Sequence, residues 1–414
     1  MNSSARLSSS PAVPATAPQA ARRVLRLLDG LHQGVLDLQT PDGGHHALGS
    51  GPRRAGLQLH DWSVIERALR SGDIGFAETY IEGRWDTPDL SALLTLLLAS
   101  RDELERLVYG SWWGRLAYRL RHLLNRNSLR GSARNIHAHY DLGNAFYAEW
   151  LDETMSYSSA WFEGDLGRPL AEAQRAKLRR ALREAGVGPG TRLLEVGCGW
   201  GALAELAAGE CGAQVTGLTL STEQLDWARR KLAAAGLAER CELRLQDYRQ
   251  LAEQAAPGSF DAVVSIEMFE AVGHEYWDAY FRMLAHCLKP GGLACIQSIT
   301  IRDDLFERYL RSTDFIQQYI FPGGLLPSNA AFEALARRHG FTVERRLGFG
   351  ADYAETLRRW RLRFHERLAE VERQGFDRRF QRTWHFYLAY CEAAFALGNT
   401  DVVQFTLRRA EARA

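Results

Sequence analysis

The run Leu193-Leu194-Glu195-Val196-Gly197-Cys198-Gly199-Trp200-Gly201 places three glycines where an apolar stretch gives way to the helix-forming segment Ala202–Ala208. Glycine lets backbone approach a ligand closely, and the start of a helix is partly positive, so this junction predicts a site for a polar molecule. Two cofactors compete for it. Gly197, Gly199 and Ala202 satisfy the dinucleotide spacing G-x-G-x-x-G/A. A dinucleotide also wants an acid about twenty residues on for a ribose hydroxyl, and the second strand ends instead on Gly217-Leu218-Thr219-Leu220. Glu195 at the loop and Asp247 closing the third strand fit S-adenosylmethionine better, one acid near the loop and one near the adenine. Close strand–helix packing would account for the glycines alone, but not for acids at both strand ends. Ser221-x-x-Gln224 is also a plain helix-capping box, so Gln224 serves the cap, the ligand or both.

Such residues need a frame that brings loop ends together. Strand-like and helix-like patterns alternate over Arg192–Gly197, Ala202–Ala208, Gln214–Leu220, Thr222–Ala235, Cys241–Gln246, Phe260–Ile266, Tyr276–Leu288 and Leu293–Ile299. Short connections between alternating elements predict a mostly parallel, doubly wound α/β sheet with helices on both faces. Beyond Thr300 the pattern is helical to about Gly340, with further strands at Phe341–Leu347 and Asp401–Arg408 flanking an aromatic, arginine-rich helical region. Residues 21–110 predict a smaller, mostly helical or α+β domain, with a glycine-rich strand-like stretch near Gly34–Gly56 and helical periodicity in Trp62–Leu69 and Asp89–Ala99. Residues 1–20, rich in Ser, Ala and Pro, read as a disordered tail.

A length of 414 residues suits two or three folded units, and 46% hydrophobic with 24% charged residues matches a globular average. The formal charge of +1 provides no whole-molecule field to capture nucleic acid. Six cysteines without CxxC spacing read as reduced thiols of a cytosolic protein. The most apolar run, Leu90–Ala99, is far shorter than the roughly 18 residues of a spanning helix. Positive charge is local: Ser111–Tyr140 holds six arginines and no acid. On a helix, Trp112, Leu116, Leu120, Leu123 and Leu124 fall along one side and Arg115, Arg119, His122 and Arg126 along the other. One reading is an interdomain helix packed on its leucines. The other is an anchor on anionic lipid, with Trp112 and Trp113 at the interface and Arg115, Arg119 and Arg126 at headgroups. His137 and His139 lack third and fourth partners for a metal, and none is expected.

Further motifs join the glycine loop: His139-Tyr140-Asp141-Leu142-Gly143-Asn144, Met155-Ser156-Tyr157-Ser158-Ser159-Ala160-Trp161, Gly217-Leu218-Thr219-Leu220-Ser221, Met268-Phe269-Glu270, Tyr319-Ile320-Phe321-Pro322-Gly323-Gly324 and Gly350-Ala351-Asp352-Tyr353. Together they resemble the cyclopropane-fatty-acyl-phospholipid synthase family, S-adenosylmethionine-dependent enzymes that bridge the cis double bond of a lipid acyl chain with a methylene group. The resemblance implies a seven-stranded methyltransferase sheet in a catalytic domain over 136–414, a basic amphipathic linker helix over 111–135 and a lipid-binding domain over 21–110, where Gly72–Tyr80 matches. It implies that Tyr157 and Ser158 touch the cofactor and that Gly197, Gly199 and Gly201 meet its amino-acid end. Thr219, Leu220 and Gln224 would surround its ribose, and Asp247 and Tyr248 would flank its adenine. Glu270 and Tyr353 match positions lining the family's catalytic pocket, where a bound bicarbonate removes a proton with help from backbone amides at Ser159 and Ile299. The chain departs from the family twice, with Ser159 in place of Cys and Gln297 in place of His. Gln297 donates a hydrogen bond but cannot become cationic, which weakens an oxyanion site by about 1 kcal/mol.

The implied chemistry accounts for these residue types. An alkene is a poor nucleophile, so the methyl donor must be held over the π-bond in a dry, shaped pocket. Aromatic faces stabilise the resulting carbocation; Tyr157 and Tyr353 lead the candidates, followed by Trp161, Phe269, Tyr319 and Phe321. A base that takes a proton from the new methyl closes a cyclopropane, while one that takes it from a neighbouring carbon leaves a methylene branch; Glu270 is the protein group best placed to orient or perform this step, unless it is merely a helix-capping acid after the fourth strand. The expected protein is a cytoplasmic, peripherally membrane-associated enzyme acting on unsaturated phospholipid in a bilayer, able to form a homodimer and not binding nucleic acid. Methylation of a soluble small molecule and a lipid-binding pseudoenzyme are the competing readings.

Overall fold

The computed structural model describes residues 17–101, 103–104 and 142–411. Trp112, Trp113, Arg115, Arg119, Arg126, His137 and His139 lie outside these residues, as does most of the predicted tail. Contacts divide the described chain into two units, one formed by the N-terminal part with Asp377–Ala393 and the other by the part up to Phe376 with the residues from Ala394 onward. The first unit is therefore discontinuous in sequence.

In the first unit, strands β1 (Gly34–Gln39), β2 (His45–Ser50), β3 (Arg53–Leu59) and β4 (Trp85–Asp86) form a sheet in the order β2-β1-β3-β4. Helices Ser63–Ile81 and Leu90–Ala99 complete its apolar core, and Asp89 caps the latter by accepting from the Ala92 N–H. The former helix is interrupted at Gly72 (φ 62°, ψ −138°), a conformation that a residue without Cβ adopts cheaply. Trp85, fully buried, stacks on Phe76 at 4.3 Å and donates its indole N–H to the Phe76 carbonyl. The returning segment is held by Arg382, which lies over the Tyr80 ring and bonds the Tyr80 and Trp85 carbonyls and Asp86. Ser91 donates to Glu392 at 2.7 Å in the same core.

The second unit is built on seven strands, β5 (Arg192–Val196), β6 (Gln214–Thr219), β7 (Cys241–Leu245), β8 (Phe260–Ile266), β9 (Leu288–Ile301), β10 (Phe341–Gly348) and β11 (Thr400–Arg409), in the order β10-β11-β9-β8-β5-β6-β7. Strands β5 to β9 run parallel, and β11 pairs antiparallel with both β9 and β10. This is the doubly wound sheet that the alternating pattern predicts. Successive side chains of a strand face opposite sides: Leu194, Val263 and Ile296 join one apolar cluster with helix Trp277–Cys287 and Phe332, whereas Leu193, Val264 and Cys295 join another with Leu178, Leu203 and Leu225. Strand order reverses between β5 and β8, the switch point outside which α/β sheets collect ligands.

Candidate active site

At the carboxyl end of β5, Gly197, Gly199 and Gly201 have φ of 87°, 49° and 81°, all in the region that disfavours side chains. Gly201 caps helix Ala202–Gly209, and a Cβ there would stand 3.0 Å from that of Ala228. Glu195 is only 3% exposed, its Oε2 has no hydrogen-bond partner among the described residues, and burial pushes its carboxyl well above the usual range. A buried acid in that state is costly unless a cationic or donor group meets it. The residues therefore fit S-adenosylmethionine, whose amino-acid end carries an ammonium. Thr219 and Leu220 follow β6, where the Thr219 hydroxyl bonds Gln224 Oε1 at 3.1 Å. Ser221 caps the next helix by accepting from the Gln224 N–H, so Gln224 serves the cap through its backbone and leaves its side chain to Thr219. After β7, Asp247 caps helix Tyr248–Gln254 and pairs with Arg249 at 2.7 Å, while the buried Tyr248 hydroxyl has no partner among the described residues. Pairing of β5, β6 and β7 brings these three loop ends together along one edge.

A second cluster forms around an acid that the motif reading passed over. Glu267 follows β8 in a left-handed conformation (φ 49°), with its N–H bound to the Gln297 carbonyl at 2.9 Å. Its Oε1 accepts from the Ser159 N–H at 2.8 Å and from Gln297 Nε2 at 2.7 Å, and its Oε2 accepts from the Tyr353 hydroxyl at 2.8 Å. Gln297 is aimed by a relay: Arg180 donates to Gln404 Oε1, and Gln404 Nε2 donates to Gln297 Oε1 at 2.9 Å. That leaves the Gln297 amide N–H to face Glu267. Buried Lys177 bonds the Ser158 hydroxyl and attracts Glu267; burial brings its ammonium down to about 8.

Glu270, in the short turn Phe269–Ala271, accepts from the Ile299 N–H through Oε1, while its buried Oε2 has no partner among the described residues. Burial and the neighbouring Glu267 raise its carboxyl to about 8. Burial raises Glu267 as well, but Lys177 and three donors oppose that shift. Two carboxyls this close do not ionise independently. Burial beside Glu267 favours the proton on Glu270, whereas Lys177 and the three donors favour the charged form of Glu267.

The strand-free segment that supplies Ser159 is pinned from two helices. Gln174 donates to the Ser158 carbonyl at 2.8 Å, Thr356 accepts from the Ala160 N–H at 3.2 Å and Asp352 from the Phe162 N–H at 2.7 Å. Tyr353 packs on Phe395 at 4.4 Å and on Trp360 at 6.1 Å; Trp360 meets Tyr157 at 5.5 Å, and Tyr157 meets Tyr147 and Trp150 at 5.4 Å each. Ser159, Gln297, Ile299, Glu270 and Tyr353 thus converge on one carboxylate pair, and Tyr157 joins the aromatic wall beside it. Of the other aromatic candidates, Phe269 is fully buried among Trp277, Tyr280, Phe281 and Phe332, Trp161 faces Arg180, and Tyr319 packs on Phe315. The spacing Glu267-x-x-Glu270 at a strand end was the available signal for the missed acid.

A family profile described as mycolic acid cyclopropane synthetase matches residues 127–405. The chain is 42% identical over 367 residues to a tuberculostearic acid methyltransferase, UfaA1, of Mycobacterium tuberculosis, spanning 86% of this chain and 84% of that protein. It is 33% identical over 367 residues to the cyclopropane-fatty-acyl-phospholipid synthase of Escherichia coli, spanning 87% and 89%. Among solved structures it is similar to the mycolic acid cyclopropane synthase CmaA1 complexed with SAH and CTAB, with TM-score 0.62 and 34% identity over 67% of this chain and 98% of the other.

Proposed function

From the premise that the chain belongs to the mycolic acid cyclopropane synthetase family and is an S-adenosylmethionine-dependent methyltransferase, we propose that it methylates the cis double bond of an unsaturated phospholipid acyl chain and closes a cyclopropane. The observation that carries this reading is Tyr353, whose hydroxyl holds a carboxylate while its ring belongs to an aromatic wall. One side chain thereby joins a surface suited to a carbocation with a group suited to removing its proton.

S-adenosylmethionine, when bound, supplies a methyl carbon that leaves sulfur without the bonding pair, so that the alkene's π pair forms the new bond and one alkene carbon is left cationic. The glycine loop and Glu195 hold the donor's amino-acid end, and Thr219, Leu220, Gln224, Asp247 and Tyr248 hold its nucleoside. Tyr157, Trp360 and Tyr353 exclude water and present ring faces to the cation. The carboxylate pair receives the departing proton. The E. coli relative's name supports phospholipid as the acceptor. Supporting a bilayer location are six arginines without an acid over Ser111–Tyr140, with Trp112, Trp113, Arg115, Arg119 and Arg126 as contacts for anionic lipid. No helix among the described residues is long and apolar enough to cross a membrane. A branched product is the second reading, favoured by the 42% identity to a relative named for tuberculostearic acid rather than for a cyclopropane.

Incubation with S-adenosylmethionine and unsaturated phospholipid vesicles is expected to add one CH2 to the acyl chain. Ring and methylene branch have equal mass, so proton NMR of the product distinguishes them. No mass gain on any unsaturated lipid would refute the proposal.

A further inference from the structure

We propose that Glu267 is the base of this centre, a resident carboxylate standing where a dissolved oxyanion such as bicarbonate would otherwise be held, so that proton removal requires no bicarbonate. The inference rests on the methyl-transfer reading above and names the group that completes it.

The donors decide the matter. The backbone N–H of Ser159, the Gln297 amide and the Tyr353 hydroxyl all end on Glu267, and the Ile299 N–H ends on Glu270. These are the groups that the family resemblance assigns to a bound bicarbonate. An added bicarbonate would find them engaged and would bring another negative charge beside two carboxyl groups in a poorly solvated site. The residues present do not fit it. They do fit a carboxylate carried by the chain, which needs no recruitment from solution. The conformation of Glu267 points the same way: a non-glycine residue at φ 49° is strained, and the three hydrogen bonds together with attraction to Lys177 offset that strain.

Among the described residues Glu267 Oε2 accepts a single hydrogen bond, from Tyr353, and so retains a lone pair for a substrate proton. The cation left on the acyl chain after methyl transfer gives up a C–H proton. The C–H electron pair closes the last carbon–carbon bond, as a ring or as a double bond, and the proton passes to Glu267, making it a carboxylic acid until water removes the proton. Glu270, where burial favours the proton, is the poorer acceptor. Gln297 and, behind it, Gln404 and Arg180 are positioning residues for this carboxylate.

The test uses the full-length protein, S-adenosylmethionine and unsaturated phospholipid vesicles in carbonate-depleted buffer, with and without added bicarbonate. The unsubstituted protein is expected to turn over equally in both. Glu267→Gln, which keeps the shape and removes the charge, is expected to lose ~100-fold in turnover while retaining S-adenosylmethionine affinity by calorimetry. Glu267→Gly suits the left-handed backbone and frees the three donors; it is expected to regain about tenfold of its lost turnover on addition of bicarbonate. A second readout needs no lipid: 13C-labelled bicarbonate should show saturable line broadening with Glu267→Gly and none with the unsubstituted protein. Bicarbonate stimulation of the unsubstituted protein, bicarbonate broadening by it, or full activity in Glu267→Gln would each overturn the proposal. If no lipid is turned over at all, it is the methyl-transfer reading that fails, and the broadening experiment still decides what fills the oxyanion position.

Discussion

Two acids three residues apart, Glu267 and Glu270, meet different neighbours: Lys177 and three donors favour the charge on Glu267, and only the Ile299 N–H is seen to reach Glu270 among the described residues. Burial and the neighbouring Glu267 together leave the Glu270 carboxyl at about 8 in the folded protein. The consequence for stability has a definite sign. Below about 4.5 the carboxyl is protonated whether the chain is folded or not; between there and about 8 only the folded form keeps the proton. Unfolding then releases a proton, so this group's contribution is complete at acid pH and is lost as pH rises to about 8. Glu270→Gln removes that dependence. It is expected to be more stable than the unsubstituted protein at pH near 8 by on the order of 2 kcal/mol and to approach it near pH 5. Thermal melts at the two pH values check this; an equal difference at both would mean that Glu270 is not raised. None of this was visible one residue at a time. Glu267 carries no label in the chain as an acid in a left-handed turn, and Lys177 is fully buried although it sits in the charge-rich helix Leu170–Glu184.

At the level of elements, the site is a set of loop ends collected by strand pairing. The three glycines after β5 matter because the chain must turn from strand to helix there with little room on the helix side. Gly201→Ala places a Cβ 3.0 Å from Ala228 Cβ on a residue with φ 81°, so neither the backbone nor the neighbour gives easily. The substitution is expected to cost about 1–3 kcal/mol and to weaken S-adenosylmethionine binding as the helix start shifts. Denaturant unfolding and calorimetry measure the two effects; unchanged affinity would show that the loop does not carry the donor. The carboxylate pair depends instead on the elements across the switch point. Gln297 and Gln404 face each other because β9 and β11 pair in register at those two residues. A slip of either strand by one residue would turn that strand's amide to the opposite face and dismantle the relay.

For the molecule as a whole, the return of Asp377–Ala393 to the N-terminal unit means that this unit's core is completed only when nearly the entire chain has been made. Arg382, with its contacts to Tyr80, Trp85 and Asp86, is the principal polar clasp of that segment. Arg382→Ala is expected to destabilise the first unit by about 2–4 kcal/mol, since it removes hydrogen bonds to the Tyr80 and Trp85 carbonyls and to Asp86 and a cation from an aromatic face. Hydrogen exchange should then rise across Ser63–Ala99 while β5 and β8 keep their protection, and unchanged exchange in Ser63–Ala99 would refute the clasp. The sequence alone determined the parallel sheet, because apolar strands alternating with amphipathic helices have few other ways to bury their surfaces, and it pointed to a candidate donor loop, because glycines, Glu195 and Asp247 are local signals. Folding alone decided what stands at the reacting centre. Hydrogen bonds from Ser159, Gln297 and Tyr353 end on Glu267 from positions 108, 30 and 86 residues away, and contacts between residues so distant along the chain leave no period or spacing in it.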